Sequence, residues 1–222
     1  MFNRAVMEIN SELKQYIEGF VLPQYVKNEE AHGINHINDV IRRSFEIVEK
    51  YNLDVNPNIV YVVAAYHDLG QFIDPEIHEF ISANMMEADN NLKRFFSEDE
   101  IKVIREAIED HRASSKDEPR SIYGKVVSSA DRNNTVEACL GRTYSYGKKK
   151  DPKATDEELF ERAHSVLLAK FGEGGYAKNY YPTTQYEQFL LELRELLSDK
   201  ERYIDTQRKY IKSLTLGNRK VD

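Results

Sequence analysis

The 222-residue chain has one cysteine, Cys139, and no tryptophan. A single thiol cannot close an intramolecular disulfide, and it cannot build a thiolate cage around a metal. Cys139 therefore reads as buried and inert. Glycine and proline are scarce, at ten and six residues. No apolar run approaches membrane-spanning length, so no membrane partner is expected. The residues after Met1 form no signal-peptide core, which makes a cytoplasmic location the expectation. Positive charge is in deficit. A formal net charge of −7 argues against a protein that coats nucleic acid, yet it permits a local phosphate site. Low-complexity tracts and internal repeats are absent as well.

Hydrophobic residues make up 41% of the chain, enough to fill a core, and they recur at helical spacing. The expected fold class is all-α. Residues 2–22 read as a first amphipathic helix with Val6, Ile9, Leu13, Tyr16, Ile17 and Phe20 on one side, interrupted by Pro23. A second helix runs to about Tyr51 behind the stripe Ile37, Val40, Ile41, Phe45 and Val48. Ile59 to Tyr66 is rich in β-branched residues and could be a buried strand. Asn56-Pro57 is a good cap followed by a first-turn proline, and Gly70 is a good stop, which favours a buried central helix. A helix from about Pro75 to Leu92 is expected to face Ile77, Phe80, Ile81, Met85 and Ala88 inward. Ser97 and Glu100 form a capping box. The helix it opens carries Ile101, Ile104, Ile108 and His111 on one face. Ile122 to Ala130 is the next stripe, extended one turn by Asp131. Residues 141–154 read as a basic loop, Thr155 to Phe171 as a helix, and 172–175 as a glycine-rich turn. The stretch from Thr184 to about Leu214 reads as a long helix, broken near Asp199.

The residues with chemistry lie at the ends of these stripes. His67 and Asp68 close the most apolar segment, where unpaired polar groups are costly. Either a capped helix end or a metal accounts for the pair alone. His36, His111 and Asp131, each on a core-facing stripe, shift the balance to a metal. His36, His67, Asp68 and Asp131 offer two imidazoles and two carboxylates. Such a set suits Mn²⁺, Mg²⁺, Fe²⁺, Co²⁺ or Zn²⁺ and leaves positions open for water. A bound divalent ion acidifies water and neutralises phosphate charge. His111 and His78 could then orient water, bond the leaving oxygen or hold a second ion. His32 precedes His36 by four residues, but the intervening Gly33 suggests a loop and a structural role. His164 reads as a packing or surface residue. Arg142 could pair bidentately with phosphate, Lys148 could attract a polyanion, and Tyr144 could stack on a base.

The order His36, His67-Asp68, Asp131 resembles that of the HD superfamily of metal-dependent phosphohydrolases. The resemblance extends to His32-Gly33-Ile34-Asn35-His36, His67-Asp68-Leu69-Gly70, Glu109-Asp110-His111, Ser129-Ala130-Asp131-Arg132 and Gly141-Arg142-Thr143-Tyr144. These segments are similar to those of small bacterial HD hydrolases. The resemblance implies a helical bundle around the metal, with 1–222 as a single domain, a core over about 30–140 and a C-terminal helical extension over about 155–215. It implies hydrolysis of a phosphoester or phosphoanhydride, often in a nucleotide, by attack of a metal-bound hydroxide. Asp68, His111 and His78 are the expected catalytic residues. Arg142, Tyr144 and Lys148 are the expected substrate contacts. The sequence departs from parts of the superfamily at Gln71, where some branches carry an acid. Asp74, Glu76 or Glu79 is then a substitute carboxylate. The rival readings are an HD-fold di-iron oxygenase and a non-catalytic nucleotide sensor.

Overall fold

A computed structural model describes residues 8–112, 117–132 and 135–217. Among these residues there are ten α-helices and no strand. No helix among them is long and apolar enough to cross a membrane. The chain divides into two compact units. One comprises 1–132 with 179–183, and the other comprises 133–178 with 184–222.

The first unit contains α1 (Ser11–Tyr16), α2 (Ile34–Lys50), α3 (Pro57–Tyr66), α4 (His78–Ala88), α5 (Glu98–Glu109) and α6 (Ile122–Asp131). Helix α3 is the axis. Asn56 caps it with its side-chain oxygen on the Asn58 amide, Pro57 opens it, and every residue from Ile59 to Tyr66 is buried. The strand alternative fails because these boundaries close a helix. Burying each Val or Ile contributes roughly 1.5–3 kcal/mol. Around α3 pack α2, α5 and α6, while α4 packs mainly on α5. The Ser97–Glu100 capping box of α5 is formed on both sides.

Three expectations need correction. The first helix is shorter than read. After α1 the chain widens into a π-helical turn at Ile17–Val21 and tightens into a 3₁₀ helix at Leu22–Lys27. Val6 lies outside the described residues. Helix α4 starts at His78, and its face is rotated. Ile77 and Phe80 are 47% and 51% exposed, while His78, Glu79, Ser82, Ala83 and Met86 are buried. The cause is close packing at Gly70, where a Cβ would lie 2.7 Å from the Ile81 side chain and 2.9 Å from the Ser82 nitrogen. The Gly70 amide also donates to Ser82 Oγ at 2.8 Å. Gly70 thus serves helix approach as well as termination.

The third correction concerns 141–154. These residues fall mostly in α7 (Val136–Lys150), in the second unit, with α8 (Asp156–Phe171), α9 (Thr184–Leu197) and α10 (Lys200–Gly217). Thr135 caps α7 by accepting from the Ala138 amide at 3.1 Å. Its glycines serve close packing. A Cβ at Gly141 would meet Tyr210 at 3.3 Å, and one at Gly147 would meet Leu159 at 3.1 Å. The break near Asp199 is real and separates α9 from α10. Gly174 adopts φ +72°, which suits the expected turn.

Candidate metal centre

Five histidines and two aspartates converge in the first unit, and local structure aims each one. His67 is the C-cap of α3, and its Nδ1 lies 2.8 Å from the Ala64 carbonyl oxygen. His111 follows α5 with Nδ1 2.6 Å from the Ile108 oxygen. His78 opens α4 with Nδ1 3.0 Å from the Pro75 oxygen. A carbonyl only accepts, so each Nδ1 carries the proton and each Nε2 turns a lone pair inward. Backbone carbonyls orient metal-ligating histidines in this way. His36 sits in the first turn of α2, and Asp131 is the last residue of α6. The adjacent turn of α6 is braced by Arg43. Arg43 is 5% exposed, and its Nε donates to the Ala130 oxygen at 2.8 Å.

Asp68 is the centre, and its two oxygens face different partners. Oδ2 lies 2.7 Å from His32 Nδ1 and 3.5 Å from Nε2 of both His36 and His67. Oδ1 lies 3.3 Å from His78 Nε2 and 3.4 Å from His111 Nε2. Asp131 Oδ1 is 3.1 Å from His36 Nε2 and 3.9 Å from His67 Nε2. His78 and His111 bring their Nε2 atoms within 3.2 Å. With both Nδ1 atoms protonated, two lone pairs at that distance need a proton or a cation between them.

Burial and charge work against each other here. Burial disfavours the charged form of His36, but the Asp131 and Asp68 carboxylates overcome it and raise its pKa to about 9. Burial dominates at His67 and lowers it to about 4. Burial would raise both acids, yet the surrounding imidazoles hold Asp131 at about 2 and Asp68 well below the usual carboxylate range. Burial opposes charge on His111 too, but Asp68 and Asp131 raise its pKa. The cluster therefore keeps two carboxylates ionised, and an arriving cation would displace the His36 proton.

The donor set fits a divalent ion. His36 Nε2 and His67 Nε2 are buried without a hydrogen-bond partner; the 3.1 Å approach of Asp131 to His36 is too poorly aligned to count as one. Metal–ligand bonds of about 2.1 Å place neighbouring ligand atoms roughly 3.0–4.2 Å apart. The separations of 3.1, 3.5, 3.5 and 3.9 Å fall in that range. Three overlapping groups could hold an ion: His32, His36 and Asp68; His36, His67 and Asp131; and His67, Asp68 and His111.

The structure thus gathers His36, His67, Asp68, Asp131, His78 and His111. It adds His32, whose signal was the four-residue spacing to His36. Gly33 obscured that signal, because it breaks only the turn before α2 and leaves both rings free to face Asp68. Sequence reasoning also missed Arg43, seven residues after His36 and so on the same helical face. Of the three substitute acids, Glu79 is the buried one. Its Oε2 is 3.5 Å from His78 Nδ1, and Arg112 donates to its Oε1 at 3.0 Å. Arg142, Tyr144 and Lys148 lie on α7 in the second unit. There Tyr144 donates to Asp156 at 2.9 Å, Lys148 to the Ala154 oxygen at 3.0 Å, and Arg142 Nε to the Ala138 oxygen at 3.3 Å. His164 is buried and bonds the Leu197 carbonyl, a packing role.

No curated protein and no solved structure matched the chain. The family model of the HD domain matches residues 33–134, a span that holds His36, His67, Asp68, His78, His111 and Asp131. Over that span the chain carries an HD domain.

Proposed function

We propose that the chain is a metal-dependent phosphohydrolase acting on a phosphoester or phosphoanhydride of a nucleotide. The observation that carries this reading is the approach of two partnerless buried Nε2 atoms, on His36 and His67, to the carboxylates of Asp68 and Asp131. These four residues would hold the ion. A divalent ion, when bound, acidifies water and offsets charge on a phosphate.

The remaining steps belong to the side chains. Asp68 spans the cluster, so one carboxylate can anchor the ion and also orient the attacking water. His111 presents Nε2 inward with its Nδ1 proton committed to Ile108, which suits it to pass a proton to the leaving oxygen. His78, 3.2 Å away, shares that proton. Glu79, paired with Arg112, stands behind His78 and steadies the ring. The reading rests on the first unit alone; in the second, Tyr144 donates to Asp156, Lys148 to the Ala154 oxygen and Arg142 Nε to the Ala138 oxygen.

The test is product analysis after incubating the full chain with a nucleotide panel and Mn²⁺ or Mg²⁺, with Asp68→Ala in parallel. Release of pyrophosphate or orthophosphate that vanishes in the variant supports the reading. Tight nucleotide binding without turnover supports a sensor instead. The approach of His78, His111 and Asp68 Oδ1 favours a second reading, a two-ion centre. Two irons per chain with oxygen uptake would make it the oxygenase.

A further inference from the structure

A cavity of about 520 Å³ opens beside the metal-site residues, at the irregular start of the chain. Leu22, Pro23, Tyr25, Val26 and Ile34 supply its apolar walls, and Glu18, Asn28, Glu30 and Asn35 supply polar groups. The volume suits a drug-sized or nucleoside-sized molecule. The wall owes its shape to the π-helical turn at Ile17–Val21 and the 3₁₀ helix at Leu22–Lys27. Such a helical irregularity costs regular hydrogen bonding and frequently marks a functional site.

Chemistry narrows the occupant. Two carboxylates, Glu18 and Glu30, line the cavity; Glu18 is 3.8 Å from Lys14, and both are solvent-exposed. Acceptors of that kind repel phosphate and favour N–H donors. The apolar walls favour a flat, neutral body. Position narrows it further. Gly33, Ile34 and Asn35 line the cavity immediately before His36. Asn28 lines it too, and its amide is fully committed. Nδ2 donates to the His32 and Asp68 carbonyls at 3.0 Å each, and Oδ1 accepts from the Phe72 amide at 3.1 Å. Cavity wall and metal ligands are therefore one hydrogen-bonded structure.

We propose that this cavity seats the heterocyclic base of the substrate, with Glu18 and Glu30 accepting from its amino group while the phosphates lie toward His36. The inference rests on the phosphohydrolase reading and deepens it by naming a base-bearing substrate with an exocyclic amine. It leaves the charged part of the substrate to the metal site and assigns the neutral part to a wall of opposite preference.

Nucleosides separate the two parts, because they carry a base and no phosphate. Adenosine, guanosine, cytidine and purine riboside are titrated calorimetrically into the full chain in EDTA. At least one amino-bearing nucleoside is expected to bind with Kd below about 1 mM, and purine riboside, which lacks the amine, at least about tenfold more weakly than adenosine. Ile34→Trp fills the cavity, and the pair Glu18→Gln with Glu30→Gln removes the carboxylates. Circular dichroism verifies the fold of each. Each is expected to weaken nucleoside binding at least about tenfold. Unchanged affinity in the correctly folded variants overturns the assignment. So does absence of nucleoside binding in a protein that hydrolyses nucleotides, an outcome that leaves the phosphohydrolase reading intact. Nucleoside binding that follows the predicted pattern, with no phosphate released from any nucleotide when Mn²⁺ is bound, would instead remove the phosphohydrolase reading and keep the base seat.

Discussion

Both units bury histidine, and they do so in opposite ways. In the second unit His164 is 8% exposed, spends its Nε2 on the Leu197 carbonyl, and packs its ring edge-on against Tyr203. In the first unit His67 is 0% exposed and its Nε2 has no partner, although the backbone has fixed the ring in place. One ring is consumed by packing, and the other is held ready. Among the described residues, every triad of side chains that could hold an ion lies in the first unit. Burial alone therefore says little about function. What matters is whether buried ligand atoms left without a partner converge on carboxylates, as His36 Nε2 and His67 Nε2 do.

The largest test of that contrast is Asp68→Ala. It removes the carboxylate that faces all five site histidines, so Mn²⁺ affinity measured by calorimetry should fall by more than about 100-fold, beyond the usual outer-shell effect. The helical circular dichroism should persist, because Asp68 lies outside the regular turns of α3. Near-native ion binding in this variant would break the comparison.

His164→Leu tests the other side. It strands the buried Leu197 carbonyl and should cost about 1–3 kcal/mol, seen as a lower melting temperature. Its Mn²⁺ affinity should match that of the parent chain. A loss of ion binding without a loss of stability would reverse the roles assigned to the two histidines.

Asp89 sharpens the contrast within the first unit, because it is an acid already fully spent. Tyr16 and Tyr66 both donate to its Oδ2 at 2.6 Å. Burial would raise its pKa, but these hydroxyls and Asn91 outweigh burial and lower it. A depressed folded pKa stabilises above the unfolded value of about 3.9 and is lost as pH falls through the folded value. Asp89→Asn should therefore cost about 1 kcal/mol at neutral pH. The gap in melting temperature from the parent should close below about pH 4. Ion affinity should not change. A gap that stayed constant down to pH 2 would show that the carboxylate charge contributes nothing.

The same logic explains what could be read from residues alone. His36, His67, His111 and Asp131 were legible because each ends an apolar stripe, where a polar group has no cheap alternative. Helix α3 was legible from its cap and first-turn proline. The inward face of α4 was not, because His78 and Glu79 displace Ile77 and Phe80 from the core side, and hydrophobicity then points the wrong way. His32 was hidden behind Gly33. The cavity beside α2 was invisible, since a π-turn and a 3₁₀ turn leave no periodic signature. In α7 the glycines read as loop residues although they serve helix packing.

That last point gives the smallest prediction. Gly141 lies inside α7, where glycine costs about 1 kcal/mol relative to alanine. A Cβ there would meet only the ring tip of Tyr210, with the hydroxyl at 3.3 Å and Cε1 at 3.4 Å. The contact is tight by a few tenths of an ångström, and Tyr210 is only partly buried, in the second half of α10. Its ring can swing aside more cheaply than the helix can carry a glycine. Gly141→Ala should therefore stabilise the chain by less than about 1 kcal/mol, raising the melting temperature by a degree or two. A fall of several degrees would show that the ring cannot move and that α7 needs the glycine to approach α10. Mn²⁺ affinity should stay at the parent value in either case, because among the described residues the triads that could hold an ion lie in the first unit.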